Sequence, residues 1–238
     1  MVEMGELLTE GKGKRVYATN APDECLVYFK DEAMAFHGLK RGRILGKSEV
    51  NNAVCEHIFE LLTQNGVENH YLRPVDARQS LCRRVEIIPV AVKVRNIVAG
   101  SLVRRIGYPM GTRLDPSVIE CVLKNDELDS PLVNFTHIIA MKLATREEME
   151  QICATALKVN TILSNYMREI GIEVIDFKLE FGRYHGKILV ADEISPDTAR
   201  FWDSKTHEPL DIDRFRRDLG NVEQAYQEVL HRMMGMEE

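Results

Sequence analysis

Apolar and polar residues alternate along residues 174–182, which read VIDFKLEFG. Successive side chains of a β-strand point to opposite faces, so the pattern predicts a strand with one face in a core. The apolar face would carry Ile175, Phe177, Leu179 and Phe181. The opposite face would carry Asp176, Lys178 and Glu180, which we call the charged row. Half-buried charges are costly unless they are paired or hold an ion, so the row predicts a ligand or counter-charges above it.

The hydrophobic pattern elsewhere predicts strands first, and mixed helices and strands afterwards. Strands are expected within residues 6–29, 71–75, 80–88, 90–98 and 118–123. A helix is expected at 51–65, a short helix after residue 98, and one or two helices within 212–234. The longest helix would begin with a capping box at Thr145 and Glu148 and end at Gly171. A hairpin through residues 182–186 would join strands at 172–181 and 187–194.

This order of elements predicts an α+β fold with a small N-terminal β-rich lobe and a larger α/β lobe. We place the seam near residues 85–90, because EIIP at 86–89 is suited to a hinge strand. Residues 1–87 would form the first lobe and residues 88–238 the second. No flexible linker separates them, so the two lobes would form one continuous unit.

The position of Asp192 depends on the register of the expected hairpin. A four-residue loop would pair it opposite Phe177, whereas a three- or five-residue loop, or a glycine bulge, would pair it opposite Asp176. We expect the second register, because a carboxylate among phenylalanines is expensive. Asp176, Glu180 and Asp192 would then surround Lys178. Such oxygen ligands suit Mg²⁺, which binds one or two carboxylates plus substrate phosphates. The alternative is a surface sheet face with cross-strand salt bridges.

Two further segments carry candidate anion-binding groups. In EGKGKR at 10–15, two glycines interleaved with Lys12 and Lys14 would lay a loop over phosphates. The alternative is an ordinary hairpin turn with solvated lysines, and the segment is not a Walker A motif. Arg95, at the end of a buried strand, and Arg200 are candidate bidentate anchors for carboxylate or phosphate. The alternative for Arg95 is a structural arginine that caps carbonyl groups.

Composition narrows the class of protein. The 238 residues are 45% hydrophobic, enough for a large core. The net charge of −6 gives no global basic field, so we expect no nucleic-acid partner. Five dispersed cysteines without a C-x-x-C pair indicate reduced, mostly buried thiols. The chain begins without a signal-peptide h-region, and no apolar run approaches the roughly 20 residues of a membrane helix. We therefore expect a cytoplasmic protein with no membrane partner.

Eight segments spread nearly end to end resemble the SAICAR synthetase family of purine biosynthesis. They are GKGKRVY at 11–17, DEAMAFHG at 31–38, VNN at 50–52, IIPVAVKVRNIVAGSL at 87–102, LKND at 123–126, VIDFKLEFG at 174–182, ADEISPDTARFWD at 191–203 and DRFRRDLG at 213–220. The D-F-K-L-E-F-G and D-E-x-S-P-D-x-x-R-x-W-D patterns are highly specific. The resemblance implies a two-lobed fold akin to SAICAR synthases and protein kinases, with ATP in the cleft between the lobes.

The family joins L-aspartate to the carboxyl group of carboxyaminoimidazole ribotide (CAIR), using ATP and Mg²⁺. The resemblance thus implies a C–N ligase of de novo purine (IMP) biosynthesis that gives SAICAR, ADP and phosphate through an acyl phosphate. It also implies a homodimer. A covalent protein nucleophile is not needed for this chemistry. The alternatives are a non-catalytic nucleotide-binding module and a small-molecule kinase that stops at phosphoryl transfer.

The resemblance assigns roles by position. The residues expected around ATP are Gly11, Lys12, Gly13, Lys14, Val16, Glu86, Ile87, Ile88, Glu180 and Asp192. The residues expected around CAIR are Arg95, Ser101, Asp176, Lys178 and Arg200. The expected metal ligands are Glu180 and Asp192, and the expected catalytic residues are Lys14, Lys178 and Asp176. A mobile loop that closes over aspartate is expected to include Asp31, Ala35 and Gly38.

The chain departs from the family pattern in two places. Ala91 stands where the family usually has glutamate, and Lys93, two residues later, adds an unusual positive charge. Residues 134–137, which read NFTH, lack the acid that the family often has after its L-V segment. These changes affect the positioning of the substrate more than the type of reaction.

Overall fold

The computed structural model describes residues 2–35 and 38–235. Phe36 and His37 of the expected mobile loop therefore lie outside the described residues. The strands are β1 Met4–Glu10, β2 Lys14–Thr19, β3 Glu24–Phe29, β4 Glu32–Ala35, β5 Lys40–Arg43, β6 Tyr71–Asp76, β7 Gln79–Arg83, β8 Glu86–Ile87, β9 Val90–Ile97, β10 Arg113–Leu123, β11 Leu132–Val133, β12 Ile172–Tyr184, β13 Lys187–Ala191 and β14 Ala199–Asp203. The α-helices are α1 Lys47–Gln64, α2 Ser101–Ile106, α3 Phe135–Ala140, α4 Arg146–Glu169, α5 Asp213–Arg216 and α6 Val222–Met234.

An antiparallel five-stranded sheet is built from the first part of the chain, in the order β1-β2-β3-β7-β6. Alternate residues of β3, including Val27 and Phe29, face the core. Helix α1 supplies Val54, Ile58 and Leu62 to the same core. The strands predicted within residues 6–29 and the helix predicted at 51–65 are therefore confirmed.

Helix α1 begins at Lys47, four residues earlier than the sequence predicts. The Asp31 carboxylate accepts hydrogen bonds from the Ser48 backbone N–H at 3.0 Å and from the Ser48 hydroxyl at 2.6 Å. A side-chain acceptor at a helix N-terminus satisfies donors that the helix itself leaves unpaired. The acceptor lies 17 residues upstream, so no local signal at residues 47–51 reveals it.

A seven-stranded sheet follows, in which β11, β10, β9, β12 and β13 are neighbours in that order and β14 and β8 also pair with β12. Strand β12 changes neighbours along its length. Its first part pairs with β9 and β14 up to Leu179, and its second part pairs with β13 and β8 from Glu180 onwards. The charged row crosses this change of partners.

The core face of β12 differs from the expected one at a single position. Its register against β14 shifts by one residue between Val174 and Asp176. Because of the shift, Val174 joins Phe177 in the main core. Ile175 instead packs in a small separate cluster with Ile97, Ala99 and Trp202. The expectation that Ile175 shares the apolar face with Phe177 is therefore wrong, whereas the alternation from Phe177 onwards is confirmed.

The hairpin between β12 and β13 has a two-residue turn, so neither register weighed from the sequence is correct. His185 and Gly186 have φ values of 46° and 78°, as in the primed turns that match strand twist. Tyr184 pairs with Lys187 and Glu180 with Ala191, after which β13 ends. Continuing this ladder would set Asp192 opposite Leu179, towards the core. Asp192 instead has a φ of 65° and leaves the ladder.

The longest predicted helix is confirmed as α4, including its reciprocal capping box of Thr145 and Glu148. Its apolar stripe packs on β12 and on α1. All five cysteines are free thiols, and four of them are buried. Within the described ranges, none of the helices combines the length and the apolar character needed to cross a membrane.

Candidate active site

Six charged side chains form what we call the lysine–carboxylate network: Lys14, Lys124, Lys178, Glu180, Asp192 and Glu193. Lys178 Nζ lies 2.7 Å from Glu180 Oε1 and 3.3 Å from Asp192 Oδ2. Lys14 Nζ lies 2.9 Å from Glu193 Oε1 and also contacts Asp192 Oδ1. Lys124 contacts Glu180 Oε2. Lysines from three separate segments thus converge on carboxylates at the point where β12 changes partners.

Backbone geometry explains how Asp192 reaches this network. Its left-handed φ of 65° turns the chain out of β13, so its carboxylate meets both Lys14 and Lys178. Its carbonyl oxygen accepts from the buried His70 ring nitrogen Nε2 at 2.9 Å. Burial lowers the pKa of His70 to about 4, so the ring is neutral near pH 7 and donates through its Nε2–H.

Lys14 and Asp192 hold each other in the ionised state. Burial alone would raise the pKa of Asp192, but the ammonium groups of Lys14 and Lys178 bring that pKa well below its ordinary value. Burial alone would lower the pKa of Lys14, but Asp192 and Glu193 bring it above its ordinary value. Lys14 and Asp192 therefore stay charged near neutral pH and present fixed opposite charges.

A second group, which we call the arginine–carboxylate network, lies next to the first: Arg95, Asp176, Arg200, Glu120 and Asp213. Arg95 Nη1 donates to Asp176 Oδ2 at 2.8 Å, and Arg95 Nε donates to Glu120 Oε2 at 2.6 Å. Arg200 Nη1 donates to both oxygens of Asp176 at 2.9 and 3.0 Å, and its Nε donates to Asp213 at 2.8 Å. Asp176 thus holds two arginines on one sheet face.

Gly100 fits closely against this second network. Its φ of 55° lies in the left-handed region, and an added Cβ would stand 2.6 Å from Arg200 Nη2. Ser101 follows directly as the first residue of α2. Glycine is therefore needed at position 100 both for the turn and for the place of the Arg200 guanidinium.

The structure brings together most of the residues expected around the two substrates. Lys178 contacts only two of its three expected carboxylates, because Asp176 is engaged by arginines. The networks are nevertheless adjacent, since Asp176, Lys178 and Glu180 are alternate residues of one strand. Their individual roles stay predictions.

The glycine-containing loop between β1 and β2 lies close to the start of α1. Gly13 is placed so that an added Cβ would be 3.4 Å from Asp197 Oδ2 and 3.8 Å from Lys47 Nζ. Lys47 is only 1% exposed, and its Nζ lies 2.5 Å from Asp197 Oδ2. Lys12 remains more exposed and pairs with Asp126 at 3.3 Å. The neighbouring Gly11 N–H donates to the Lys14 carbonyl at 2.9 Å.

The expected adenine-bordering segment is strand β8 and the residue after it. Glu86 pairs with Arg183 and Ile87 with Gly182 on β12, three and two residues beyond Glu180 respectively. Ile88 is buried, and its N–H donates to the Phe181 carbonyl at 2.9 Å. Val16, on β2, is partly buried against the main core.

Several charged partners escaped the sequence reasoning: Lys47, Lys124, Glu120, Glu193 and Asp213. Lys124 lies in LKND and Asp213 in DRFRRDLG, so both stood in segments that carry the family resemblance. Glu193 directly follows Asp192, and its carboxylate accepts from the Ser195 hydroxyl at 2.7 Å. Lys47 and Glu120 had no local signal, because their partners are distant in sequence.

The second departure from the family pattern has a local structural role. Asn134 caps helix α3 by accepting from the His137 N–H, and the His137 ring accepts from the Asn134 N–H. Phe135 packs against the main core. Residues 134–137 therefore form a helix start.

Glu180 and Asp192 are the expected ligands of a magnesium ion, and their carboxylates are oxygen donors of the kind that Mg²⁺ takes. Both accept from the single Lys178 ammonium, so one cation already lies between them. Hard oxygen donors of this kind suit Mg²⁺, which takes its remaining ligands from phosphates and water. In residues 2–35 and 38–235, no group of three or more His, Cys, Asp or Glu side chains is arranged to hold a metal ion. The substrate would therefore have to supply the remaining ligands.

The fold places two charged networks side by side on one sheet face, an arrangement suited to an enzyme that binds two anionic substrates. The chain belongs to the SAICAR synthetase family, which matches residues 7–233. It is 47% identical to a phosphoribosylaminoimidazole-succinocarboxamide synthase of Clostridium acetobutylicum, over 98% of this chain and 100% of the relative. It is 48% identical to the synthase of the same name in Persephonella marina, over 99% of each chain.

Solved structures show the same fold. The phosphoribosylaminoimidazole-succinocarboxamide synthase of Ehrlichia chaffeensis superposes with a TM-score of 0.95 at 39% identity, covering 98% of this chain and 100% of that one. A SAICAR synthetase in complex with ADP superposes with a TM-score of 0.94 at 40% identity, covering 97% and 98%. The α+β fold expected from the sequence is therefore confirmed.

Proposed function

We propose that this chain ligates L-aspartate to the carboxyl group of CAIR, using ATP and Mg²⁺, to give SAICAR, ADP and phosphate in de novo purine biosynthesis. The observation that carries the proposal is the adjacency of the two charged networks on β12. One network has the lysines and carboxylates suited to a magnesium nucleotide, and the other has arginines suited to an anionic ribotide. The family membership and the ADP bound to a relative support this assignment.

In the mechanism we propose, the lysine–carboxylate network binds the nucleotide phosphates. Lys14 and Lys178 would offset negative charge on the transferring phosphoryl group, which is the main task of a phosphoryl-transfer site. Mg²⁺, held by Glu180 and Asp192 when bound, would supply further charge neutralisation. The glycines of residues 11–13 would let the backbone approach the phosphates, with Val16 and residues 86–88 around the base.

The arginine–carboxylate network would hold CAIR. Arg95 and Arg200 would bind its anionic groups, with Ser101 at the start of α2, while Asp176 keeps both guanidinium groups oriented. An oxygen of the CAIR carboxylate attacks the γ-phosphorus, and ADP leaves, giving an acyl phosphate. The amine of aspartate then attacks the acyl carbon, loses a proton and expels phosphate. Orientation of the two substrates on one rigid strand lowers the entropy cost of the first step.

We further propose two lobes, residues 1–87 and 88–238, with the nucleotide between them. The division of strands supports this boundary, because the five-stranded sheet ends at Arg83 and β8 already pairs with β12. A homodimer and a cytoplasmic location are proposed from the family resemblance alone.

The test is to measure ADP release and the amide product with purified protein, ATP, Mg²⁺ and CAIR, with and without L-aspartate. We expect equal amounts of ADP and SAICAR, both dependent on aspartate. ADP release without the amide would indicate a kinase, and nucleotide binding without any turnover would indicate a non-catalytic module. Either result would refute the proposed ligase.

A further inference from the structure

Lys93 lies on the sheet face between the two networks. On β9, Val90, Val92 and Val94 face the main core, so Ala91, Lys93 and Arg95 share the opposite face. Lys93 pairs in register with Lys178 of β12 on one side and with Glu120 of β10 on the other. Its side chain therefore starts in the middle of the candidate active site.

The Lys93 ammonium differs from the other lysines of this face. Lys14, Lys124 and Lys178 all pair with carboxylates. Among residues 2–35 and 38–235, Lys93 Nζ has neither an ion pair nor a hydrogen bond.

The acids next to Lys93 are already engaged. Asp176 is hydrogen-bonded to Arg95 and Arg200, and Glu120 to Arg95. Burial and the charge of Arg95 lower the pKa of Lys93, and the charges of Asp176 and Glu120 only partly oppose this. A partly buried ammonium without a partner is costly, and an incoming anion would remove that cost.

The position of Lys93 indicates which anionic group of the three substrates its ammonium would contact. Two residues further along β9, on the same face, is Arg95, the expected CAIR anchor. Lys178 of β12 lies opposite Lys93. Two residues beyond Lys178, on the same face, is Glu180, an expected nucleotide ligand. Each such step is about 7 Å. Lys93 thus lies between the expected ribotide and the expected nucleotide phosphates.

Resting on the proposed function, we propose that Lys93 binds the CAIR carboxylate that receives the phosphoryl group. An ammonium contact would fix that carboxylate close to the transferring phosphorus. The contact is a charge-assisted hydrogen bond in a partly buried site, among the stronger polar contacts in proteins.

Alanine at position 91 leaves Lys93 without an acid two residues away on its own strand. Two residues apart on the neighbouring strand, Lys178 and Glu180 form an ion pair of 2.7 Å. A glutamate at position 91 would be two residues from Lys93 on the same face of β9 and would pair with it. This chain has alanine there, so the ammonium stays available to the substrate.

The first experiment is titration of CAIR into the protein without ATP, by isothermal calorimetry, for wild type and Lys93→Met. We expect the variant to bind CAIR about tenfold or more weakly, as loss of a charge-assisted hydrogen bond predicts. The KM for ATP and the KM for aspartate should stay within about twofold of wild type, because those ligands keep their contacts. Lys93→Arg should retain most of the affinity for CAIR. Lys158→Met should leave that affinity unchanged, because Lys158 is an exposed lysine on α4 whose Nζ donates to the Gly66 carbonyl.

Thermal unfolding of the ligand-free variant separates a ligand role from a structural one. Lys93→Met should unfold at the same temperature as wild type or higher, since it removes an unpaired charge. A lower unfolding temperature would identify Lys93 as a structural lysine and overturn the proposal. So would unchanged CAIR affinity, or a loss confined to ATP or aspartate.

A double-mutant cycle tests the role of position 91. Ala91→Glu alone should weaken CAIR by engaging Lys93, and adding Ala91→Glu to Lys93→Met should weaken it little further. Additive losses would overturn the proposed pairing. Wild-type protein that makes SAICAR while all variants bind CAIR equally would refute this inference alone. Wild-type protein that binds no CAIR would refute it together with the proposed function.

Discussion

Replacing Asp192 by asparagine tests the lysine–carboxylate network most directly. Asparagine has nearly the same shape but no charge, so it removes the shared partner of Lys14 and Lys178. Lys14 would keep Glu193 at 2.9 Å, and Lys178 would keep Glu180 at 2.7 Å. Neither ammonium is therefore left uncompensated.

The surviving partners set the expected size of each effect. Breaking a buried ion pair costs about 3–5 kcal/mol when it strands a charge. Since both lysines keep a carboxylate, we expect a smaller loss of unfolding free energy, about 1–3 kcal/mol. Turnover should fall about 10²–10³-fold, because a carboxylate at a phosphoryl-transfer site acts mainly in the transition state. At about 1.4 kcal/mol per tenfold, that is about 3–4 kcal/mol of barrier.

The assay combines ADP and SAICAR formation with urea unfolding of the same samples. Asp218→Asn is the matched control, since Asp218 pairs with Lys40 but its side chain is 84% exposed. Exposed ion pairs contribute about 1 kcal/mol or less to the free energy of unfolding, so Asp218→Asn should keep wild-type stability. It should also keep wild-type turnover, because Asp218 belongs to neither charged network. Folded Asp192→Asn protein with turnover within about threefold of wild type would refute the assigned role.

Three other variants, and one control, probe the surroundings of the two networks. Arg200→Ala should weaken CAIR more than ATP in binding titrations, and equal losses would contradict its placement. Gly100→Ala should displace Arg200 and weaken CAIR, whereas Gly107→Ala, with a φ of 72° and open space, should cost only backbone strain. His70 has a pKa lowered from 6.5 to about 4, so its contribution to stability is complete above pH 6.5 and is lost as pH falls towards 4. As pH falls from 6.5 to 4, the unfolding free energy of His70→Gln in urea should therefore decrease by up to about 3 kcal/mol less than that of wild type. Asp211, whose pKa is raised to about 7, stabilises the fold as pH falls, but it does so in both proteins. Parallel pH profiles would rule out His70 as the source.

Some errors of the sequence reasoning arise where distant segments decide a local structure. In SPDTARFWD at 195–203, the residues Ser195, Pro196 and Asp197 are typical of a turn. No local signal shows that the following Ala199–Asp203 forms strand β14, because that strand depends on pairing with β12. The one-residue shift of that pairing is also what moves Ile175 off the expected face. The register of the hairpin follows from its two-residue turn. The residues 182–186, which read GRYHG, do not by themselves determine the length of that turn.

The sequence by itself determined the elements with strong local signals: the capped helix α4, the alternating strand β12 and the glycine–lysine loop before β2. It also determined the family, because several specific motifs occur together in one chain. These signals are local, since periodicity, capping and turn chemistry act over a few residues.

Tertiary structure alone decided how the charges are paired. Lys14 and Asp192 lie 178 residues apart in the sequence yet share an ion pair, and Arg95 and Asp176 lie 81 residues apart. Only the order of strands and the change of partners along β12 bring them to one face. A charge has no preferred sequence separation for its partner, so burial and strand register determine which ammonium is paired and which, like that of Lys93, is left for a ligand.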